Sequence, residues 1–266
     1  MDVKGLVRAT ALIYSMHFKT VFGSKRVLAA MVLAAMPPVL GGLGARLSPE
    51  TVEGVVMDGE AIFASMGILL FLGFVVPMLS VSVAVGAVAD EVETRTITFP
   101  FTRPIPRASL FLGRWLAALT LIFLLVTASA VLLWFMTSRR GSGPSLELFL
   151  AILQAALVGS FIYSIGAAVI GTEFKRGLVI ALAYAFAFEL LVANTPGSSR
   201  ALTVQYHLRA MVAEPVARAI PGTDWLFSTE RIISSGAALT KMLVISGLLL
   251  SYGCWRVGRK QFVLSS

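Results

Sequence analysis

The chain alternates long apolar runs with short polar or glycine-rich stretches, and six of the runs have the length of a membrane crossing: 27–45, 61–88, 115–136, 146–170, 178–192 and 237–255. Only α-helices and closed β-barrels cross a bilayer, because every backbone N–H and C=O there must be satisfied without water. A barrel strand needs only about ten residues, and these runs are far longer. The pattern therefore predicts an all-α integral membrane protein, a single domain with six transmembrane helices.

The polar stretches carry their own structure. Over residues 1–26, Lys4, Arg8 and Lys19 fall on one stripe at 100° per residue, while Val3, Leu6, Ile13, Tyr14 and Val21 gather on another face. That is an amphipathic helix suited to the headgroup layer, and it lacks the apolar core and cleavage site of a signal peptide. Within the first run, Pro37-Pro38 removes two donors and predicts a kink or break. The second run would make about 40 Å of helix at 1.5 Å per residue, against a hydrocarbon core of about 30 Å. It must tilt, bend at Pro77 or project beyond the membrane.

Projection would carry it into residues 89–114, a polar interruption holding Glu91, Glu93, Arg95, Arg103, Pro104 and Arg107. A turn-rich link follows at 137–145 and a tight loop at 171–177. Residues 193–236 are not an ordinary loop. They contain a helix-like stretch at 201–220, but Arg200, His207, Arg209, Glu214 and Arg218 do not suit a hydrocarbon span. The expectation is a short outer helical cap or a re-entrant pair.

Composition agrees with a membrane protein: 57% of residues are hydrophobic and 14% charged, where a soluble chain carries about a quarter charged. Lys and Arg concentrate in 1–26, 89–114, 171–177 and the C-terminal tail, so the positive-inside rule puts both termini in the cytosol, in the cytoplasmic (inner) membrane. Arg139 and Arg140 dissent. The net charge of +8 decorates membrane ends and forms no basic face with interleaved aromatics, so it points to the lipid bilayer and not to nucleic acid.

Catalytic motifs are missing from the sequence. No GxxxxGK[ST] phosphate loop, HExxH pair or GxSxG elbow occurs. The one cysteine, Cys254, and two histidines, His17 and His207, offer no metal-ligand spacing. The chain is read as binding no cofactor or metal and as having no enzymatic activity of its own. One carboxylate, Glu189, sits inside an apolar run. It reads either as part of a polar path or proton relay, or as a protonated or hydrogen-bonded side chain near the outer end.

A long second run, an acidic exit at Glu91 and Glu93, Thr96, then Thr102-Arg103-Pro104-Ile105-Pro106-Arg107 and Leu112-Gly113-Arg114 before a third run resemble the ABC-2 type permeases. These are the membrane subunits of ATP-binding-cassette exporters with a type V exporter-like fold. The resemblance implies a second permease subunit and two copies of a cytoplasmic ABC ATPase that supply the ATP and Mg chemistry. It also implies a coupling helix within 89–114 that docks on the ATPase, with Glu91, Glu93, Arg95, Arg103, Pro104 and Arg107 as docking candidates. The sequence departs from the family where Arg95 replaces a glycine and Ile97-Thr98-Phe99-Pro100-Phe101 replaces a leucine-glutamate-leucine run. Its β-branched residues and Pro100 predict a coupling helix that is broken or starts after Pro100. Two other readings stand beside it: an ATPase-driven membrane anchor or force transmitter that moves no solute, and a proton-coupled carrier or intramembrane enzyme built on Glu189.

Overall fold

The apolar runs become long helices whose starts are set by ordinary capping chemistry. The computed structural model describes residues 3–52, 55–93, 107–174, 176–193, 198–220 and 233–259. Helix α1 (Val3–Phe22) is followed by α2 (Lys25–Leu47), a small antiparallel hairpin of β1 (Thr51–Val52) and β2 (Val55–Val56), and α3 (Gly59–Ser65). A π-helical stretch, Met66–Val75, joins α3 without a break to α4 (Val76–Glu93). Then come α5 (Arg107–Thr137), α6 (Leu146–Glu173) and α7 (Gly177–Ala183). A second π-helical stretch, Tyr184–Phe188, leads into α8 (Glu189–Ala193). A 3₁₀ turn (Ser198–Leu202), α9 (Val204–Ala219) and α10 (Ser235–Arg259) complete the described chain. Asp58, Ser145 and Thr203 each cap the helix that follows by accepting a backbone N–H, which removes an orphan donor at the helix start.

Among the described residues, five segments are long and apolar enough to cross a membrane: Arg26–Leu47, Gly59–Gly86, Ala108–Thr137, Leu146–Glu173 and Ser235–Arg259. In the most apolar stretch of each, 67% of the residues of Gly59–Gly86 and 56% of those of α6 are buried, against 33% for Arg26–Leu47 and 22% for α10. The first two therefore form the centre. The other two turn Leu28, Val32 and Val39, and Leu243, Val244 and Leu248, outward, as lipid-facing helices do. The run predicted at 178–192 is the shorter apolar segment, built from pieces of 7, 5 and 5 residues. At 1.5 Å per residue it reaches about 25 Å, short of a full crossing. It starts beside Gly171 at one end of α6. Helix α9 ends at the opposite end of α6, where Arg218 meets Glu147. Together these elements run along α6 from one end to the other as a broken helical segment.

Three expectations change. Helix α2 continues unbroken through Pro37 and Pro38, packed at Gly41 and Gly42 against Leu133 and Met136 of α5. The second run does bend its hydrogen-bond pattern, but as a π stretch beginning well before Pro77. Both ends of the polar interruption 89–114 are helical, because α4 runs on to Glu93 and α5 already starts at Arg107.

At the proximal end of the bundle, where α4 stops and α5 starts, α1 crosses α5 at Gly113. A Cβ at Gly113 would lie 2.8 Å from the Thr10 carbonyl oxygen and 2.9 Å from Ile13, so the close approach requires glycine there. Tyr14 donates to Thr120 (3.2 Å) one helical step further on. Arg8 and Lys19 are exposed on α1, and so are Val7, Leu12 and Met16. The end of α10 lies at this same end, with Gly253 against Phe111 and Arg256 paired to Glu173 at 2.5 and 3.0 Å.

The distal end is tied together by Arg140. Its guanidinium donates to the carbonyls of Ala45 (3.0 Å), Ser48 (2.8 Å) and Pro49 (3.0 Å), the unpaired carbonyls at the C-terminus of α2. A cation there also complements the helix dipole. The Arg140 carbonyl accepts from Gly59 N–H (2.9 Å), and Ser142 donates to the Asp58 carboxylate. This accounts for a basic residue on the side where the charge rule does not place one.

Candidate functional site: a carboxylate at a buried helix end

Helix α9 begins inside the bundle, so the free N–H groups of its first turn need acceptors that water cannot supply. Thr203 takes one, that of Tyr206, at 3.3 Å. Glu189 takes two more. One of its oxygens accepts from Val204 N–H (3.0 Å) and the Tyr184 hydroxyl (3.1 Å), the other from Gln205 N–H (3.0 Å) and the Tyr163 hydroxyl (3.1 Å). The side chain is 1% exposed. A carboxylate with four donors at a helix N-terminus has its charge balanced by aligned dipoles.

The four partners come from three elements, two of them from the first turn of α9. Tyr163 projects from the middle of α6, Tyr184 opens the second π stretch, and Glu189 is the first residue of α8. The rings of Phe74 and Phe186, one from each π stretch, sit 5.4 Å apart beside them. Gln205 extends the network: its carboxamide donates to the carbonyl of Leu72 at 2.8 Å. His207 keeps its Nδ1 within 2.9 Å of the Thr203 carbonyl. At its other end α9 is held on the surface, where hydrogen bonds to Glu147 raise the pKa of Arg218 above the usual guanidinium range.

Of the residues singled out in the sequence, Glu189 is thus placed where α8 meets the start of α9, with both oxygens engaged. Glu91 and Glu93 fall in the last turn of α4 and Arg107 opens α5. Their side chains, and that of Lys4, lie outside the described residues, as do Arg95, Arg103 and Pro104 altogether. The sequence reading missed Tyr163, Tyr184 and Gln205. Tyrosines and a glutamine bordering apolar runs were the available signal, since such groups seek a partner when buried. Among the described residues no group of three or more His, Cys, Asp or Glu side chains could hold a metal ion. The chemistry on offer is hydrogen bonding between helices.

No curated protein matches the chain closely enough to count as a relative. The family model described as ABC-2 family transporter protein matches residues 7–253, which takes in every helix from α1 to α10. The match spans α7 to α9 and the polar connection alike, and the chain belongs to the ABC-2 family of transporter proteins, as a multi-pass membrane permease whose family works with an ABC ATPase.

Proposed function

We propose that this chain is the membrane subunit of an ABC exporter, coupling ATP binding and hydrolysis on a separate cytoplasmic ATPase to movement of a substrate across the cytoplasmic membrane. The observation that carries the reading is the family match over residues 7–253. The seating of α1 at Gly113 supports it, because it brings α1 to within two turns of the start of α5 at Arg107. In this reading 94–106 with its flanking turns is the coupling element, and Glu91, Glu93, Arg95, Arg103, Pro104 and Arg107 are the docking candidates. Two permease subunits, identical or paralogous, face two ATPase copies that bind the ATP and Mg. Both termini are cytosolic, and the broken pass from α7 to α9 is the fifth of six crossings. Glu189 serves as a helix anchor in this reading, because both its oxygens are already engaged.

ATP can shift the membrane subunit only if the docked ATPase contacts its two conformations differently. Charge reversal at Arg103 or Arg107 is therefore expected to lower co-purification of the ATPase, or its stimulated hydrolysis, while membrane insertion stays normal. If both variants retain full coupling, these two arginines have no part in docking.

A further inference from the structure

The π stretch leaves a carbonyl with no helical donor. Val76 N–H bonds to the Phe71 carbonyl, five residues back, whereas in an α-helix it would bond to Leu72. The donor that could serve Leu72 under the five-residue pattern is residue 77, and this is proline, which has no N–H. Leu72 is fully buried, so water cannot stand in. The group that does is the Gln205 carboxamide, 133 residues further along the chain, at 2.8 Å. The Gln205 backbone N–H meanwhile bonds to Glu189 at 3.0 Å. The Gln205 Oε1 has no partner among the described residues, although the side chain is only 4% exposed. A residue left half-satisfied in the interior is held there by the bond it does make, because a buried acceptor without a donor opposes the docked position.

We propose that Gln205 is a positioning residue: its carboxamide replaces the N–H that Pro77 lacks and binds the buried end of α9 to the second long helix, so that the register of Met66–Val75 and the seating of α9 change together. If Val76 N–H moved back to the Leu72 carbonyl, Gln205 would share its acceptor with a helical donor and would no longer be needed to satisfy it, so that one of the two interior polar anchors of α9 would weaken. Glu189 would remain as the other. The packed rings of Phe74 and Phe186 place the two π stretches in the same joint, so a shift in the first reaches the element that carries Glu189.

The test is a double-mutant cycle on the full chain, with no ATPase present, so that its result is independent of the transport reading. Pro77→Ala restores an N–H at position 77 and frees the helix to adopt either register, and in both registers Leu72 gains a backbone donor. Gln205→Met keeps the size of the side chain and removes its donor. Amide hydrogen exchange is followed in Met66–Val75 and in Val204–Ala219. Gln205→Met in the chain that keeps Pro77 is expected to raise exchange about fivefold in both segments together. The same change made on top of Pro77→Ala is expected to raise it less than about twofold, a non-additivity that marks a shared partner. Equal effects in both backgrounds, an effect confined to one segment, or no effect at all would each overturn the proposal. Should Gln205→Met alone fail to insert and fold, recovery of the folded chain in the double variant supports the proposal and failure to recover refutes it.

Discussion

Glu189 and Arg140 are the two charges that fit the sequence pattern least, and the structure uses both at helix ends. Glu189 gathers N–H and O–H donors at the start of α9, and Arg140 gathers carbonyls at the end of α2. Each has the sign its helix terminus favours. They differ in surroundings. Glu189 is buried among α6, the second π stretch and α9, whereas Arg140 is half-buried at the distal surface. Where water can replace a lost partner a helix-end charge is an aid, and where it cannot the same device becomes a requirement.

The largest expected effect breaks the interior member. Glu189→Ala leaves two amides and the buried Tyr163 hydroxyl without their acceptor, and the more exposed Tyr184 hydroxyl as well, a loss of about 3 kcal/mol or more at about 1–3 kcal/mol per unmet buried group. Exchange in α9 is expected to rise from its first turn onward. Glu189→Gln retains an acceptor oxygen but sets an amide N–H against other donors, so it falls between alanine and wild type. Full protection of α9 in the alanine variant would show that α9 is held without the carboxylate, and the contrast with Arg140 would collapse. Arg140→Ala is expected to cost about 1 kcal/mol, because the carbonyls of Ala45, Ser48 and Pro49 can turn to water. Arg140→Lys should recover part of this, since an ammonium lacks the planar fork that reaches several carbonyls at once. Thermal unfolding of the three chains in one detergent orders them. An alanine variant as damaged as Glu189→Ala would mean that the distal end is as dry as the interior.

Much of the architecture was legible because it depends on neighbours in sequence. The apolar runs gave the long helices, and Asp58, Ser145 and Thr203 stood where N-caps belong. The excess length of the 61–88 run announced a distortion, and Pro77 marked its region. The form of the distortion was hidden, because the π register becomes tolerable only through Gln205, far away in the chain. Glu189 was visible as an acid in an apolar run. Its partners Tyr163, Val204 and Gln205 lie 26, 15 and 16 residues away, and no periodicity links them. Arg140 stood out only as a dissent from a charge rule, since its acceptors lie 91 to 95 residues earlier. The junction of α8 and α9 was harder still. Its two halves share one carboxylate, and a hydropathy window reads such halves as one short run and one charged loop.

The smallest expected effect concerns the other end of α9, and it tests whether burial alone sets the ranking. Arg218 lies in the last turn of α9 and Glu147 in the first turn of α6, so both charges suit their helix ends as well as Glu189 does. The bonds are shorter, at 2.7 and 2.9 Å, yet the two side chains are 56% and 60% exposed. An exposed pair gives up hydration and side-chain freedom for what it gains, and dissolved salt screens the remainder. Arg218→Ala is therefore expected to leave the unfolding midpoint unchanged in high salt and to lower it only slightly in low salt. Distance and dipole sign would rank this pair above Glu189, and exposure ranks it last. A loss in Arg218→Ala that matches Glu189→Ala and persists in high salt would show that the distal end of α9 is its principal attachment. The interior junction would then be the place where α9 moves.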